Sequence, residues 1–388
     1  MREDEPFKTP GQLLKSLLDE RGWSNRVVAA ILDIEETGVS KIISGRKSVT
    51  SEIALALEDV FSVSADRFVK LQGEYDLAKA RIVARPDPAR ATRAKLFAGL
   101  PVAAMIKRGW LKVDDIRNLP AVEKGLADFF EVSSIDEIEI LPHAAKRTKV
   151  SREASPVQIA WLYRVKQIAQ EMIVAQYSTR TVRRAIERLK LLTNAAEEIR
   201  HVPRVLAEAG IRFVLVETLP SAKIDGVCFW LDETSPVIGM SIRFDRIDNF
   251  WFVLRHELEH VLCQHGKDEI AIDFELEGAR AGVGPTVAEE ERMANEAAAE
   301  FCVPRKTMDS FIARKAPRFS NRDILGVAGT LKVHPGLVAG QLRHRTNTYD
   351  RFTAHLVKVR SIVTSAATVD GWGDVAQVER TYIGQQDE

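Results

Sequence analysis

Apolar residues recur every three or four positions through most of this chain, which predicts amphipathic helices. One such stripe near the N-terminus consists of Leu13, Leu14, Leu17 and Leu18. Segments 103–130 and 158–192 repeat the helical spacing, and the second is long enough for two helices. Short runs rich in β-branched and aromatic residues predict strands instead, at 211–216, 226–231 and 237–242. We therefore predict a mainly α fold of the α+β class. Its small antiparallel sheet would pack on the helices, with all strands before residue 250.

The first eighty residues have the spacing of a helix-turn-helix domain. Trp23 and Ser24 open a second helix, with the Ser24 hydroxyl as its predicted cap. Asp33 falls at the tight turn, where aspartate tolerates left-handed geometry. The recognition helix is then 36–44, and Gly45 ends it. Its outward side includes Gly38, and the candidate DNA-contacting residues there and in the next turn are Thr37, Ser40, Lys41, Arg46 and Lys47.

Charge favours DNA binding by this segment only weakly. Residues 1–81 hold 12 lysines and arginines against 14 aspartates and glutamates. A DNA-binding domain usually carries a basic surface. The alternative is a five-helix bundle used for dimerisation or for contacts with other proteins.

The sequence His256-Glu257-Leu258-Glu259-His260 carries the clearest chemistry. Residues four apart share one face of a helix, so His256 and His260 can reach the same metal ion. Glu257 lies one step round the helix, where its carboxylate can take a proton from water at that metal. Strongly apolar flanks predict that the helix is buried, and a metal satisfies buried histidines. The spacing predicts zinc-assisted hydrolysis, most often of a peptide bond.

A catalytic zinc site takes three protein ligands, so a third ligand is expected on another element. The segment 286–304 predicts a helix, with capping-box spacing between Thr286 and Glu289. Glu289, Glu290 and Glu291 stand in its first turn. Glu291 shares a face with small residues that would allow close approach of the two helices. Spacing alone does not separate Glu291 from Glu290 as the ligand.

The stretch 236–304 resembles the ImmA/IrrE family of metallopeptidases. The residues that carry the resemblance are Pro236-Val237-Ile238, Arg243, Asp248, Phe250-Trp251-Phe252, His256-Glu257-Leu258-Glu259-His260, Glu291-x-x-Ala294-Asn295-x-x-Ala298 and Pro304. The resemblance implies a gluzincin-like zinc endopeptidase with His256, His260 and Glu291 as ligands of Zn²⁺ and Glu257 as general base. One position departs from the family, which usually has glycine where this chain has Glu259. That side chain either crowds a neighbouring strand or points outward.

A second resemblance covers the N-terminal region. The runs Ser48-Val49-Thr50-Ser51-Glu52-Ile53-Ala54-x-x-Leu57 and Phe68-Val69-Lys70-Leu71-Gln72-x-x-Tyr75-Asp76-Leu77 are similar to the HigA-type branch of the XRE, lambda-repressor-like helix-turn-helix family. This resemblance implies that the chain binds an operator as a homodimer, often with autoregulation. It also makes a partner toxin a candidate.

The predicted organisation has four parts: a helix-turn-helix domain at 1–81, a mainly helical linker region at 82–200, a zincin-like metallopeptidase domain at 201–345 and an extension at 346–388. We expect the polar tail from Ser365 to be loosely ordered. Basic and acidic residues balance at 55 each, so no overall field directs the chain to nucleic acid or to a membrane surface. Three scattered cysteines exclude a disulfide framework, and the absence of a signal-peptide core predicts a cytoplasmic protein.

Two functions follow from these parts. The first is a DNA-binding transcriptional regulator whose zinc-dependent endopeptidase cleaves a repressor-type protein in a stress, phage or toxin-antitoxin system. The alternative is a HigA-like antitoxin and autorepressor whose zinc site is structural or inactive. Glu257 separates them, because a structural zinc site has no need of a carboxylate at that position.

Overall fold

The computed structural model describes residues 7–84, 90–138, 154–267, 272–274 and 289–378. The chain divides into two compact units, Met1–Pro88 and Ala89–Glu388. The predicted boundaries after residues 81, 200 and 345 remain predictions.

The described part of the first unit folds as five helices around one apolar core. They are α1 (Pro10–Arg21), α2 (Asn25–Ile31), α3 (Glu36–Ile43), α4 (Ser51–Phe61) and α5 (Ala65–Val83). Asp33 takes the predicted left-handed conformation, with φ 52°, between α2 and α3. Ser24 stands at the N-terminal cap of α2, but its hydroxyl makes no capping hydrogen bond, so that prediction was wrong. Gly38, expected on the outward face of α3, is buried.

The second unit combines helices with a sheet. Its described helices are α6 (Arg90–Gly99), α7 (Val102–Lys107), α8 (Leu119–Phe129), α9 (Pro156–Glu171), α10 (Thr179–Leu192), α11 (Val202–Glu208), α12 (Ile247–Cys263), α13 (Glu289–Cys302), α14 (Arg305–Lys315), α15 (Asn321–Leu331), α16 (Pro335–Thr346) and α17 (Arg360–Thr364). Its strands are β1 (Arg212–Val216), β2 (Ile224–Trp230), β3 (Pro236–Met240), β4 (Ile272–Phe274) and β5 (Thr368–Asp370). The chain is therefore mainly α with a small sheet, as predicted.

The sheet is mixed rather than antiparallel. Its strand order is β4-β2-β3-β1-β5, with β1 parallel to β3 and β5, and β2 antiparallel to β3 and β4. Two of its strands follow residue 250, so the expectation that all strands precede that point was also wrong. Neither β4 nor β5 was visible in the sequence because each has only three residues, too few for a period-two pattern.

Both faces of the sheet are buried under helices. Along β1, Phe213 and Leu215 join the core that contains α10, α11 and α12. Val214 and Val216 join the core on the opposite face, which includes α8 and α9. Since successive strand residues point to opposite faces, this double burial explains why the strands read as apolar runs without alternation. Helix α9, from the region predicted as a linker, thus supplies part of one layer of the unit.

The segment after Ser365 is built into the unit through residue 378, contrary to the expected loose tail. β5 extends the sheet beside β1. Asp370, fully buried, accepts a hydrogen bond of 2.8 Å from the indole Nε1 of Trp110 and is ion-paired with the buried Arg164. The buried carboxylate is thus compensated by a cation and a neutral donor. Among the described residues, we find no helix of the length and hydropathy needed to cross a bilayer.

Candidate metal centre

The H-E-x-x-H motif lies in the second half of α12, as predicted. The helix begins after Arg246, carries Asp248 in its first turn, and ends where Gln264 adopts a left-handed conformation with φ 59°. A carboxylate in the first turn and a left-handed residue at the end both favour these limits. His256 and Glu257 are fully buried, and His260 is nearly so. The helix packs against β2 on one side and α13 on the other.

Three side chains from α12 and α13 converge on one point. The Nε2 atoms of His256 and His260 lie 3.1 Å apart. One carboxylate oxygen of Glu291 lies 3.3 Å from Nε2 of His256, and the other lies 3.4 Å from Nε2 of His260. Glu291 therefore reaches the two imidazoles. Glu290 is placed elsewhere, with its Oε1 3.8 Å from Nε2 of His265.

These distances fit a tetrahedral metal ion. Nitrogen and oxygen donors about 2.0 to 2.2 Å from zinc, at tetrahedral angles, are roughly 3.3 to 3.6 Å from one another. The observed separations are 3.1, 3.3 and 3.4 Å. The three donors are the group of described residues that can hold a metal, with ligand atoms within 4.8 Å of one another. The set of two imidazoles and one carboxylate is suited to zinc and leaves a fourth position for water. The predicted cap at Thr286 lies outside the described residues.

Asn295 orients the first imidazole. Its side-chain Oδ1 lies 3.1 Å from Nδ1 of His256. An amide oxygen only accepts, so Nδ1 of His256 carries the proton and Nε2 presents its lone pair toward Glu291 and His260. Hydrogen bonds of this kind fix the tautomer and ring orientation of metal-binding histidines. Asn295 stands one turn after Glu291 on α13, so one helix face supplies both the carboxylate and this support.

His265 supports the second imidazole, and sequence reasoning missed it. Its Nδ1 lies 3.0 Å from Nδ1 of His260. When Nδ1 of His260 donates, Nδ1 of His265 accepts, and the remaining proton of His265 faces Glu290. The chain returns sharply after α12: a β-carbon on Gly266 would come within 2.5 Å of the Cys228 carbonyl oxygen. The indole of Trp230 also donates to the carbonyl of His265, at 2.9 Å.

Gly226 in β2 makes room for the buried carboxylate of Glu257. A β-carbon at position 226 would lie 2.1 Å from Oε1 of Glu257 and 3.0 Å from Val253. A β-bulge interrupts the pairing of β2 with β4 between Ile224 and Gly226. Glycine is required here because a side chain would occupy the space of the carboxylate. The sequence carried a faint signal, since an isolated glycine inside a strand pattern indicates close approach of another group.

The beginning of β2 is held by a buried ion pair. Asp225 accepts hydrogen bonds from Nε and Nη2 of Arg243, at 2.6 and 3.1 Å. Asp225 is 2% exposed, so this bidentate pair compensates its charge. Arg243 and Asp248, which both belong to the resemblance above, have different partners: Asp248 pairs with Arg246 at 2.6 Å.

Glu259, which stands where the family usually has glycine, does not crowd a strand. Its Oε2 lies 2.7 Å from Nη2 of Arg255, one turn earlier on α12. The residue is half-buried on the helix surface. The departure from the family pattern is therefore accommodated by a local ion pair.

The nearby cysteines do not belong to the donor set. Burial raises the pKa of the Cys302 thiol to about 12, so it stays protonated at neutral pH. Burial also raises the pKa of Cys263, and the Glu259 carboxylate adds to this effect. Neither thiol belongs to the group of donor atoms that lie within 4.8 Å of one another at this centre.

The five candidate DNA-contacting residues lie on α3 and the turn that follows it, and all five are exposed. The carbonyl of Lys41 accepts hydrogen bonds from the backbone N–H groups of Arg46 and Lys47, at 2.8 and 3.0 Å. This turn brings three cations together at the end of α3. Ser40 accepts a hydrogen bond from Asn25 of α2, at 3.2 Å, and Thr37 donates to Glu35, at 3.0 Å. Sequence reasoning did not anticipate Asn25.

Both units match known families. Residues 14–68 match a helix-turn-helix family, and residues 207–346 match a peptidase family described as an IrrE N-terminal-like domain. Over 71 residues the chain is 35% identical to virulence-associated protein A' of Dichelobacter nodosus, covering 18% of this chain and 62% of that protein. It is 31% identical over 71 residues to an HTH-type transcriptional regulator, YddM, of Escherichia coli, covering 18% of this chain and 76% of that protein.

A solved structure is also similar, an addiction module antidote protein of the HigA family from Coxiella burnetii. It is 25% identical, the match covers 24% of this chain and 94% of that one, and the TM-score is 0.18. At that TM-score, nothing about this chain is concluded from the likeness.

The fold and the two matches define a helix-turn-helix protein joined to a metallopeptidase domain. The chain belongs to the proteins that carry an XRE-type helix-turn-helix domain at the N-terminus and an IrrE-like peptidase domain in the C-terminal part. The predicted recognition is confirmed. Because the match spans less than two thirds of the Dichelobacter protein, the activity, substrates and partners of the whole chain are proposals.

Proposed function

We propose that this chain is a DNA-binding transcription regulator whose second unit is a zinc-dependent endopeptidase acting on a repressor-type protein. The observation that carries the proposal is the convergence of His256, His260 and Glu291, with Glu257 adjacent on the same helix. A site that only stabilised the fold would need the three donors but no fourth acid. The presence of a buried carboxylate at Glu257 supports chemistry.

Each residue of the site has a separate role in the proposed hydrolysis. His256, His260 and Glu291 would hold Zn²⁺, which would supply the Lewis acidity for peptide hydrolysis. The carboxylate of Glu257 accepts a proton from the attacking water and delivers it to the nitrogen of the leaving amine. Gly226 leaves the space in which that carboxylate can stand. Asn295 and His265 keep the imidazoles in the tautomer that presents Nε2.

An extended substrate would be held by backbone pairing at the β4 edge of the sheet. Among the strands that the structure describes, β4 and β5 are at the edges of the sheet. β4 lies beside β2, whose Gly226 adjoins Glu257, whereas two strands separate β5 from β2. A peptide added along β4 therefore comes closer to the catalytic carboxylate. Strand addition satisfies the peptide's backbone groups without demanding a particular sequence, which suits an endopeptidase.

The first unit would bring this activity to an operator. α3 would enter the major groove, with Thr37 and Ser40 contacting bases or phosphates. The cations Lys41, Arg46 and Lys47 would contact phosphates. A protein that binds the same control region as its substrate repressor meets that repressor at high local concentration. We propose that the chain binds this DNA as a homodimer.

The test replaces Glu257 by Gln in the cell that encodes the chain. New protein N-termini are compared by mass spectrometry between wild type, Glu257→Gln and the control Glu259→Gln. We expect wild type and the control to share a cleavage within a DNA-binding repressor, and Glu257→Gln to lose it. Loss of a general base lowers the rate by about 10² to 10⁴. Purified Glu257→Gln should retain about one zinc per chain.

Two outcomes would contradict the peptidase assignment. One is the same set of N-termini in wild type and Glu257→Gln. The other is DNA binding by a chain that carries zinc but cleaves nothing. The second result would identify the alternative function, an antitoxin-like autorepressor with a structural metal site, and would direct the search to a partner toxin.

A further inference from the structure

A cavity of about 600 Å³ lies in the second unit beside the metal centre. Its lining residues belong to the first half of α12, to α13, to α16 and to the segments next to them. Its volume is within the range of about 300 to 1,000 Å³ that is usual for small-molecule sites. The helices around it are held together by close contacts: a β-carbon at Gly340 of α16 would lie 2.4 Å from the Asp248 carboxylate of α12.

The cavity is not the peptide-binding cleft of the proposed peptidase. None of the described residues that line it is His256, Glu257, His260 or Glu291. A pocket for a substrate side chain next to the scissile bond opens onto the reacting water and carbonyl, so at least one of these four residues would line it. Instead, Asn295 and Phe252 line the cavity and lie between it and the metal centre.

The lining favours a small molecule with an apolar body and an acidic group. Phe252, Val303 and Leu337 supply apolar surface. Five arginines line the cavity against one aspartate and two glutamates. Two of these three carboxylates are already engaged: Asp248 pairs with Arg246 at 2.6 Å, and another accepts a backbone hydrogen bond.

The arginines at the rim can exchange partners at small cost. Arg292 pairs with Glu289 at 3.3 Å, in a contact whose two side chains are 62% and 78% exposed. Arg305 and Arg345 both pair with Asp309, which does not line the cavity. Exposed ion pairs stabilise a protein only weakly because water screens both charges, so an incoming anion competes readily for these guanidinium groups. Burial lowers the pKa of His344 and Arg345 adds to this effect, so the cationic character of the wall comes from arginine.

Asn295 connects the cavity to the metal centre. Asn295 lines the cavity, and its Oδ1 lies 3.1 Å from Nδ1 of His256. Phe252, one turn before His256 on α12, also lines the cavity. A molecule that displaces either residue alters the orientation of a metal-binding imidazole. Partners of this kind typically change metal affinity by about 10- to 100-fold when they are removed.

We propose that this cavity binds a small organic anion and that its occupancy is linked to metal binding through Asn295. The linkage rests on the proposed function, whereas anion binding does not. Linked binding is reciprocal. If the anion changes the affinity of the chain for zinc by some factor, zinc changes the affinity for the anion by the same factor. The anion is a carboxylate or a phosphate ester attached to an apolar body.

The binding test uses the full chain and the fluorescent probe anilinonaphthalene sulfonate, which has an aromatic body and one acidic group. We expect saturable binding at one site. Ala299→Phe, which fills the cavity, should weaken it at least tenfold, and Arg345→Glu at least threefold. Arg322→Glu, an exposed charge reversal on α15 outside the cavity wall, is the matched control and should leave binding unchanged. Circular dichroism of each variant verifies the native fold.

Competition then identifies the acidic group. Displacement of the probe by inorganic phosphate indicates a phosphate ester, and displacement by acetate indicates a carboxylate. Displacement by neither anion overturns the anionic assignment. Equal probe affinity in wild type, Ala299→Phe and Arg345→Glu would show that the cavity is not the site.

The linkage test measures the zinc dissociation constant by chelator competition, with and without saturating probe. We expect at least a threefold change in wild type and none in Asn295→Ala. An unchanged constant in wild type overturns the linkage. If the chain binds no zinc at all, the proposed function fails, while the probe titration still decides whether the cavity binds anions.

Discussion

The two functional regions of this protein are built in opposite ways. At the metal centre, His256 and Glu257 are fully buried, and every imidazole has a second contact that fixes its ring. On the recognition helix, the five candidate DNA-contacting residues are all exposed and extend from the surface of α3 and its following turn. The side chains of the metal centre are buried inside the fold, and those of the recognition helix lie on the surface.

This difference shows where each kind of site gets its precision. A metal ion needs donors placed to within a few tenths of an ångström, which buried side chains held by neighbours achieve before the ligand arrives. DNA recognition tolerates mobile cations, because phosphate contacts are electrostatic and long side chains adjust to the duplex. The metal centre should therefore respond to small changes of shape, and the recognition helix to changes of charge.

The largest expected effect is that of His256→Ala. Removing one of three donors should lower the zinc content from about one per chain to near zero, because the remaining two donors no longer enclose the ion. Metal analysis of the purified chain measures this. His201→Ala, at a half-buried histidine of the same unit that is not part of the donor set, is the control and should keep its zinc. Undiminished zinc in His256→Ala would refute the ligand assignment.

Gly226→Ala changes the shape of the site around Glu257 without changing its charge. The new methyl group needs the space that Oε1 of Glu257 occupies, so the carboxylate must move. A displacement of about 1 Å at a catalytic group can cost roughly 10²-fold in rate. We expect cleavage to fall by about that factor while the three donors still bind zinc. Full activity in this variant would mean that the position of Glu257 is not critical.

Removing charge tests the recognition helix. In the triple variant Lys41→Ala, Arg46→Ala, Lys47→Ala, affinity for the operator and for unrelated DNA should fall by similar factors. The slope of log affinity against log salt should drop by about 3, one for each phosphate contact. Electrophoretic shift assays at several salt concentrations measure both quantities. Lys70→Ala, an exposed lysine on α5, is the control. An unchanged slope in the triple variant would assign the first unit to protein contacts instead.

Gly38→Ala adds a methyl group to a glycine, as Gly226→Ala does, but at position 38 there is space for it. We expect this substitution to have the smallest effect. A β-carbon at position 38 would lie 3.8 Å from its nearest neighbour, Nζ of Lys47, at ordinary contact distance. Replacing glycine within a helix then stabilises it by about 1 kcal/mol. Hydrogen exchange in α3 should slow by about fivefold, which mass spectrometry of the full chain measures. Faster exchange would show that α3 needs the freedom of glycine.

Much of the fold and the site could be predicted because the signals were local. The spacing of His256 and His260 places both on one helix face whatever surrounds them. The mixed sheet was missed because the parallel pairing of β1 with β3 depends on how distant segments come together. The strands β4 and β5 were missed because each is only three residues long. His265 and Asn295 were missed as supports because each contact depends on how the chain folds back against α12.

The sequence by itself determined that the chain carries a helix-turn-helix and a helix with two histidines spaced to reach one metal ion, with a glutamate beside the first of them. These features follow from helical periodicity, which is a property of the backbone. The tertiary structure brought Glu291 rather than Glu290 to both imidazoles, required glycine at position 226, and created a cavity next to Asn295. Those outcomes depend on which faces meet when helices and strands far apart in the chain pack together, and no local pattern encodes that approach.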